Sequence, residues 1–317
     1  MLTAARRVGR SLVVVLLVTL ASVALLSLAP GSAASVILGE NATPEAIAAL
    51  NAELGLDRPL WEQYLRWLGG AVTGDLGTSP LTHEPILEAV LDRLPVTLEL
   101  AALALTISLV VAVVIAIVSA TWQATVVDRA LTAFSSVLLS VPAFIAGPLL
   151  VYFLSLQLGW FPVSGWSRVG SDGLAANLQS AVLPALAIAL TEIAAFHRVL
   201  RADLISTMRE DFVGAARAKG MSAAYVMLRH TLRPSSFSLI TLVGINLGRL
   251  IGGTVVVETL FSLPGLGQLV VASITSRDVI AVQGIVVFIV VVYVVVNMLV
   301  DLSYTWLDPR VRKAAAA

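Results

Sequence analysis

Residue types that carry catalytic chemistry are scarce in this chain of 317 residues. It has no cysteine, which excludes disulfides, thiolate zinc sites, iron–sulfur ligation and cysteine nucleophiles. The histidines, His83, His197 and His230, lie far apart and none sits in an H-E-x-x-H frame, so no helical metal site is expected. The lysines are Lys219, after alanine, and Lys313, after arginine, so the Gly-Lys of a P-loop is missing and any ATP would be bound by another chain. What remains is a set of polar side chains within apolar runs: Glu192, His197, Asn246, Arg249, Asn297 and Asp301. Ionisable groups in hydrocarbon are costly, so each is a functional expectation by default. Three chemistries are open to them. Arg249 and Asp301 could lock helices together by mutual or backbone pairing; Glu192, Asn246 and Arg249 could line a path for a polar solute; Glu192, His197 and Asp301 could relay protons in an ion-coupled transporter working alone.

The elements that must position these residues follow from composition. Hydrophobic residues make up 58% and charged residues 13% of the chain, against about 45–50% and about 25% in soluble proteins. With a mean hydropathy of +0.94, too little polar surface exists to clothe a soluble globule. The formal net charge is zero, so the total exerts no pull toward nucleic acid. A bilayer core about 30 Å thick needs about 20 apolar residues of helix. Six stretches meet that need: Ser11–Ala29, Leu98–Ala120, Leu131–Leu158, Leu183–Leu200, Phe237–Val257 and Val279–Trp306. None alternates with period 2, which excludes a barrel. The expected fold is all-α and polytopic. Arg6, Arg7 and Arg10 before the first run and Ala33-Ala34 after it resemble a signal peptide, but the run exceeds the ~7–15 residues of a secretory core, so an uncleaved first helix is expected.

Loop charges orient the spans. Arg6, Arg7 and Arg10, the cluster from Arg198 to Arg233, and Arg310, Arg312 and Lys313 belong on the cytoplasmic side, whereas the acidic loop after the first span belongs outside. Both termini are therefore expected in the cytoplasm. The division that follows is a tail and first span (1–29), an external helical loop (30–97), a membrane core (98–306) containing a cytoplasmic loop (201–234), and a tail (307–317).

In the external loop Thr43 caps a helix begun by Pro44 and closed by Gly55, and a second helix from Pro59 to Leu68 carries Leu60, Trp61, Tyr64, Leu65 and Leu68 on one stripe. That stripe packs on its neighbours, lies at headgroup level, or docks a partner. Within the spans, Pro142, Gly147, Pro148 and Pro184 should kink their helices. Glu258 to Gly267, with Pro264 and Gly265 at its turn, is an external turn or a re-entrant element of an outer gate.

The cytoplasmic loop is unusually long for a connection. Met208 to Lys219 reads as an amphipathic helix ended by Gly220, and Ser222 caps a second helix from Ala223 to about Leu232, ended by Pro234. Such an elbow either lies on anionic lipid or docks a soluble partner through its small residues with Arg217 and Lys219.

The run Asp211-Phe-Val-Gly214-Ala215-Ala216-Arg217-Ala218-Lys219-Gly220 resembles the EAA loop of bacterial ABC importer permeases, with Gly214 in place of the motif's glutamate. Further stretches are similar to the dipeptide and oligopeptide (OppB/DppB-like) branch of that family: Gly74-Asp75-Leu76-Gly77-Thr78-Ser79, Arg93-Leu-Pro95-Val-Thr97-Leu-Glu99, Ser140-Val-Pro142-Ala-Phe144, Val257-Glu258 through Pro264-Gly265-Leu-Gly267, and Val300-Asp301 through Asp308-Pro309-Arg310. The resemblance implies a bacterial inner-membrane permease subunit with no catalytic residue and no cofactor of its own. A second, related permease would complete the path, two cytoplasmic ATPases would bind ATP and Mg, and an external binding protein would deliver peptide. The elbow would be the coupling helix, resting on Ala215, Ala216 and Gly220. Arg249 or Glu192 would meet a charged terminus of the peptide. Nickel chelates and haem are alternative substrates of the same branch.

Overall fold

The computed structural model describes residues 9, 13–21, 23, 24, 33–39 and 42–307, without the side chains of Ala33, Ile251 and 301–307. The flanking arginines of both tails, part of the first apolar stretch and the side chain of Asp301 lie outside the described residues. Every regular element among the described residues is a helix, as the composition requires. Helices α1 (Ala33–Leu38), α2 (Pro44–Glu53) and α3 (Leu60–Val72) precede α4 (Ile86–Thr121) and α5 (Val126–Ser140). Then come α6 (Ala143–Leu150), α7 (Val169–Thr207), α8 (Asp211–Ala218), α9 (Ala223–Tyr225) and α10 (Leu232–Gly253). The described residues end in α11 (Val255–Leu260), α12 (Leu266–Thr275) and α13 (Val279–Leu307).

Three helices are long and apolar enough to cross a membrane among the described residues: α4, α7 and the Val279–Val300 part of α13. They contain the second, fourth and sixth expected spans. The third expected span is not one straight helix. Val141 is extended (ψ 107°), as a residue before proline prefers, and Pro142 starts a new helix. The arms Val126–Ser140 and Ala143–Gln157 meet at 105°, and at 1.5 Å per residue each is only about 22 Å long. The expected fifth span, Phe237–Val257, is interrupted by a break at Thr254 and ends in α11. The helix holding most of it, α10, has 22 residues, but Arg233, Asn246 and Arg249 dilute its apolar character.

The chain folds into two compact units, residues 1–97 with 264–295 and residues 98–263 with 296–317. In the first, Thr43 accepts the Ala46 N–H and Gly55 turns the chain at φ +68°, as expected. Its core joins Leu76, Ile86, Val90, Leu266, Ala281 and Ile285, with Trp67 and Ala71 packed against them. A Cβ on Gly284 would lie 2.8 Å from Ile86 Cγ2 and 3.1 Å from the Leu76 carbonyl, so only glycine lets the start of α13 approach this closely.

In the second unit α7 is the hub, with α5, α6 and α10 packed on it. The row Ala112, Ala116, Ala120 of α4 receives Phe196, Leu200 and Leu204 of α7 and Leu239 of α10. Both rows repeat every four residues, so a ridge of small side chains faces a ridge of large ones. Helix α7 passes through Pro184 and changes direction at Gly173 (φ 84°, ψ 161°) instead. Pro234 does not end the second elbow helix. The chain widens into π-type turns at Val226–Thr231 and continues into α10. The Leu232 N–H reaches the Met227 carbonyl, while Thr231, Ser235 and Ser236 hydroxyls bond the Val226, Thr231 and Leu232 carbonyls. These bonds tie the backbone together on either side of the proline.

Candidate functional site

The elbow is shorter and more selective than the sequence suggests. Met208 to Glu210 form a turn, and α8 begins at Asp211. Val213 and Ala216 are buried and pack on Val226, fixing α8 to the segment that follows it. Burying Val213 contributes about 1.5–3 kcal/mol. Asp211, Phe212, Gly214, Ala215, Arg217, Ala218, Lys219 and Gly220 remain exposed. The sequence reading placed Ala215 and Ala216 together on a docking face; the helical turn separates them, because Ala216 follows Val213 at three residues. Gly220 ends the helix at φ +79°, and Ser222 accepts the Tyr225 N–H to start the next. A Cβ on Gly214 would meet nothing within 4 Å. Nothing in this chain's packing therefore demands glycine where the EAA motif has glutamate. Beside α8, Arg217 joins Met208, Met227 and Leu228 around an apolar cavity of about 510 Å³.

The structure unites Glu192, Asn246 and Arg249. Asn246 and Arg249, one helical turn apart on α10, face α7 together. Asn246 Nδ2 donates to Glu192 Oε2 at 2.7 Å, and Arg249 Nη2 donates to Glu192 Oε1 at 2.5 Å. The Glu192 side chain is 6% exposed and that of Arg249 64%. The carboxylate is thus consumed inside the protein, and the guanidinium spans from it to the open face. Arg249 is paired with Glu192; Asp301, the partner considered in the sequence reading, has its side chain outside the described residues. His197 Nδ1 bonds Ser135 Oγ at 2.7 Å, so Glu192 and His197 have separate hydrogen-bond partners among the described residues.

The outer-gate residues divide between the units. Buried Glu258 lies on α11, where its carbonyl accepts the Leu263 N–H at 2.8 Å. In the other unit Gly265 caps α12, and the Leu266 N–H donates to Thr97 Oγ1 at 2.9 Å. The sequence reading had an external turn or a re-entrant element here; the structure has a turn followed by α12, whose 10 residues reach only about 15 Å.

Two polar clusters escaped the sequence reading. Asp128 accepts both Nε and Nη2 of Arg201 at 2.8 and 2.7 Å. Ser119 and the Ala124 N–H complete its shell. In the other unit Ser79, from the Gly74–Ser79 motif, donates to Asp278 Oδ2 and accepts the Thr82 N–H at 3.0 Å. Asp278 Oδ1 accepts the Ala281 N–H at 2.9 Å. An aspartate one residue before an apolar helix is an N-cap signal that the sequence already held. Ser79→Ala should cost about 1–3 kcal/mol, because it strips a hydrogen bond from a buried carboxylate. Thermal unfolding of the purified chain would check this, with an unchanged transition counting against the role given to Ser79.

A helical membrane subunit that presents a short exposed helix and carries polar groups on otherwise apolar helices is the architecture of a transporter's membrane component, and sequence comparison agrees. Residues 90–313 match the family described as binding-protein-dependent transport system inner membrane component, and residues 1–101 match its N-terminal companion. The chain belongs to this family and is an ABC importer permease of the inner membrane. It is 36% identical to a probable peptide ABC transporter permease protein of Sinorhizobium fredii, over 97% of this chain and 98% of that one. It is 31% identical to a dipeptide transport system permease of Alkalihalophilus pseudofirmus, over 98% of each. It is 32% identical to a glutathione transport system permease of Escherichia coli, over 89% and 90%. Among solved structures it is similar in fold to an amino acid ABC transporter, with a TM-score of 0.50 and 19% identity over 70% of this chain and 94% of the other.

Proposed function

We propose that this chain imports di- and oligopeptides as one of two permeases in a complex with two cytoplasmic ATPases and an external binding protein. The observation that carries the substrate class is the near full-length similarity to permeases named for peptide, dipeptide and glutathione. In this reading the chain crosses the bilayer six times with both termini in the cytoplasm, and ATP and Mg bind the partner chains. Helix α8 docks on an ATPase through Ala215, Ala218 and Gly220, with Asp211, Arg217 and Lys219 around them. Closure of the ATPase pair then shifts α7 and α10, between which the Val213–Ala216–Val226 cluster and the wide turns form a stiff connection. Glu258, Pro264 and Gly265 belong to the outer gate. Deleting the ATPase genes should abolish uptake of a labelled dipeptide through this chain; uptake that survives ATP depletion and falls with the proton gradient would overturn the reading.

Glu192, Asn246 and Arg249 line the path in this proposal. Glu192 is enclosed by Asn246 and Arg249, so the group exposed to solute is the guanidinium, whose remaining N–H donors suit a peptide carboxylate. Arg249→Ala should reduce peptide uptake about tenfold or more, the equivalent of one lost charged contact of about 1.4 kcal/mol. The double variant Glu192→Gln with Arg249→Ala separates this from a helix-locking role. It removes the stranded carboxylate, so uptake returns if the pair only locks helices and stays low if the guanidinium binds substrate.

A further inference from the structure

We propose that α3 is an interfacial anchor that lies in the headgroup region of the bilayer, a role beyond the transport reading. The helix has three distinct sides. Trp67 and Ala71 pack into the core of the first unit, and the Trp67 indole donates to the Leu76 carbonyl at 3.1 Å. On another side Glu62 pairs with Arg58 at 2.8 Å and Arg66 at 3.5 Å. Between them runs an apolar flank, Trp61, Leu65 and Val72 at i, i+4 and i+11, whose exposures are 64%, 57% and 81%. A packed side, a charged side and a bare aromatic and aliphatic side together form the pattern of a helix lying at a water–hydrocarbon boundary.

What covers the bare flank follows from its neighbour. Tyr64 Oη lies 2.7 Å from Thr19 Oγ1, and Thr19 is buried. Thr19 belongs to the helical stretch 13–21, which leaves Val13, Val14, Leu16, Leu17 and Leu20 exposed. Such a density of bare aliphatic side chains suits a lipid environment. Helix α3 is therefore fastened by its tyrosine to a lipid-facing helix, and the flank beside that tyrosine meets the same medium. Tryptophan and tyrosine on one amphipathic helix favour headgroup depth, where such a face sinks about 5–10 Å.

The absence of cysteine makes the test direct, because a single introduced cysteine is a unique label site. The full chain carrying Trp61→Cys, Leu65→Cys or, on the charged side, Glu62→Cys is spin-labelled and reconstituted in vesicles of phosphatidylcholine and phosphatidylglycerol. Collision with oxygen and with a water-soluble nickel chelate is then measured. The expected oxygen-to-nickel ratio is several-fold higher at 61 and 65 than at 62. Labels at 61 and 65 open to nickel would overturn the proposal, as would labels closed to both reagents, which would mean that protein covers the flank. Two label sites on the flank guard against one substitution disturbing the helix.

Discussion

Arg201→Met should destabilise the second unit by about 3–5 kcal/mol, the range for stranding one member of a buried ion pair. Asp128 is 5% exposed and Arg201 25%, so solvent can do little for the carboxylate once its partner is gone. The pair also gathers three elements: Ser119 near the end of α4, Asp128 in the first turn of α5 and Arg201 on α7. Losing the guanidinium releases a helix connection as well as a charge. Asp128→Asn should cost less, since an amide oxygen still accepts the Ala124 N–H. The double variant Asp128→Leu with Arg201→Met should recover much of the loss, because a buried pair replaced by apolar side chains is often neutral. Chemical unfolding of the purified chain in detergent provides the cycle. Equal stability of Arg201→Met and the parent would show the pair to be incidental.

Ala215→Trp should abolish ATPase binding while leaving the chain folded, whereas Ala216→Trp should damage the fold of the elbow first. The two alanines are adjacent in sequence but differ in surroundings. Ala215 is exposed, and Ala216 is packed with Val213 and Val226. An indole at 215 projects outward into the volume a docked ATPase would fill, and a loss of association of about tenfold or more corresponds to about 1.4 kcal/mol. An indole at 216 has no space and forces α8 off Val226, at a cost of about 1–3 kcal/mol. Copurification of the ATPases and the melting temperature of the complex distinguish the cases. Full ATPase recovery with Ala215→Trp would remove α8 from the coupling interface.

Much of this architecture was legible because it depends on local rules. Thr43 before Pro44, Gly55 and Gly220 beyond helix ends, and Ser222 before Ala223 act within one turn of the chain, and the structure uses each as the sequence indicates. Proline was less readable. Pro142 breaks a span by 105° while Pro184 stays inside α7 and Pro234 inside a helix softened by wide turns. Whether a proline breaks its helix depends on tertiary surroundings, which one sequence does not disclose. The same holds for the polar residues. Sequence marked Glu192, Asn246 and Arg249 as costly in hydrocarbon, but their union needs α7 and α10 side by side. The pairing of Asp128 with Arg201 spans 73 positions, beyond the reach of any local rule.

The tie between Ser79 and Asp278 joins positions 199 apart, and the surrounding core likewise needs Leu266, Ala281 and Ile285 to cover Leu76, Ile86 and Val90. At about 5–20 residues per second of synthesis, that gap is roughly 10–40 s. For this interval the early helices stand in the membrane with one side uncovered, and the first unit is completed only as the last helix emerges. Biogenesis of this subunit is therefore a closing of the chain upon its own beginning, and the period before closure is when insertion factors and quality-control proteases have their widest access to it.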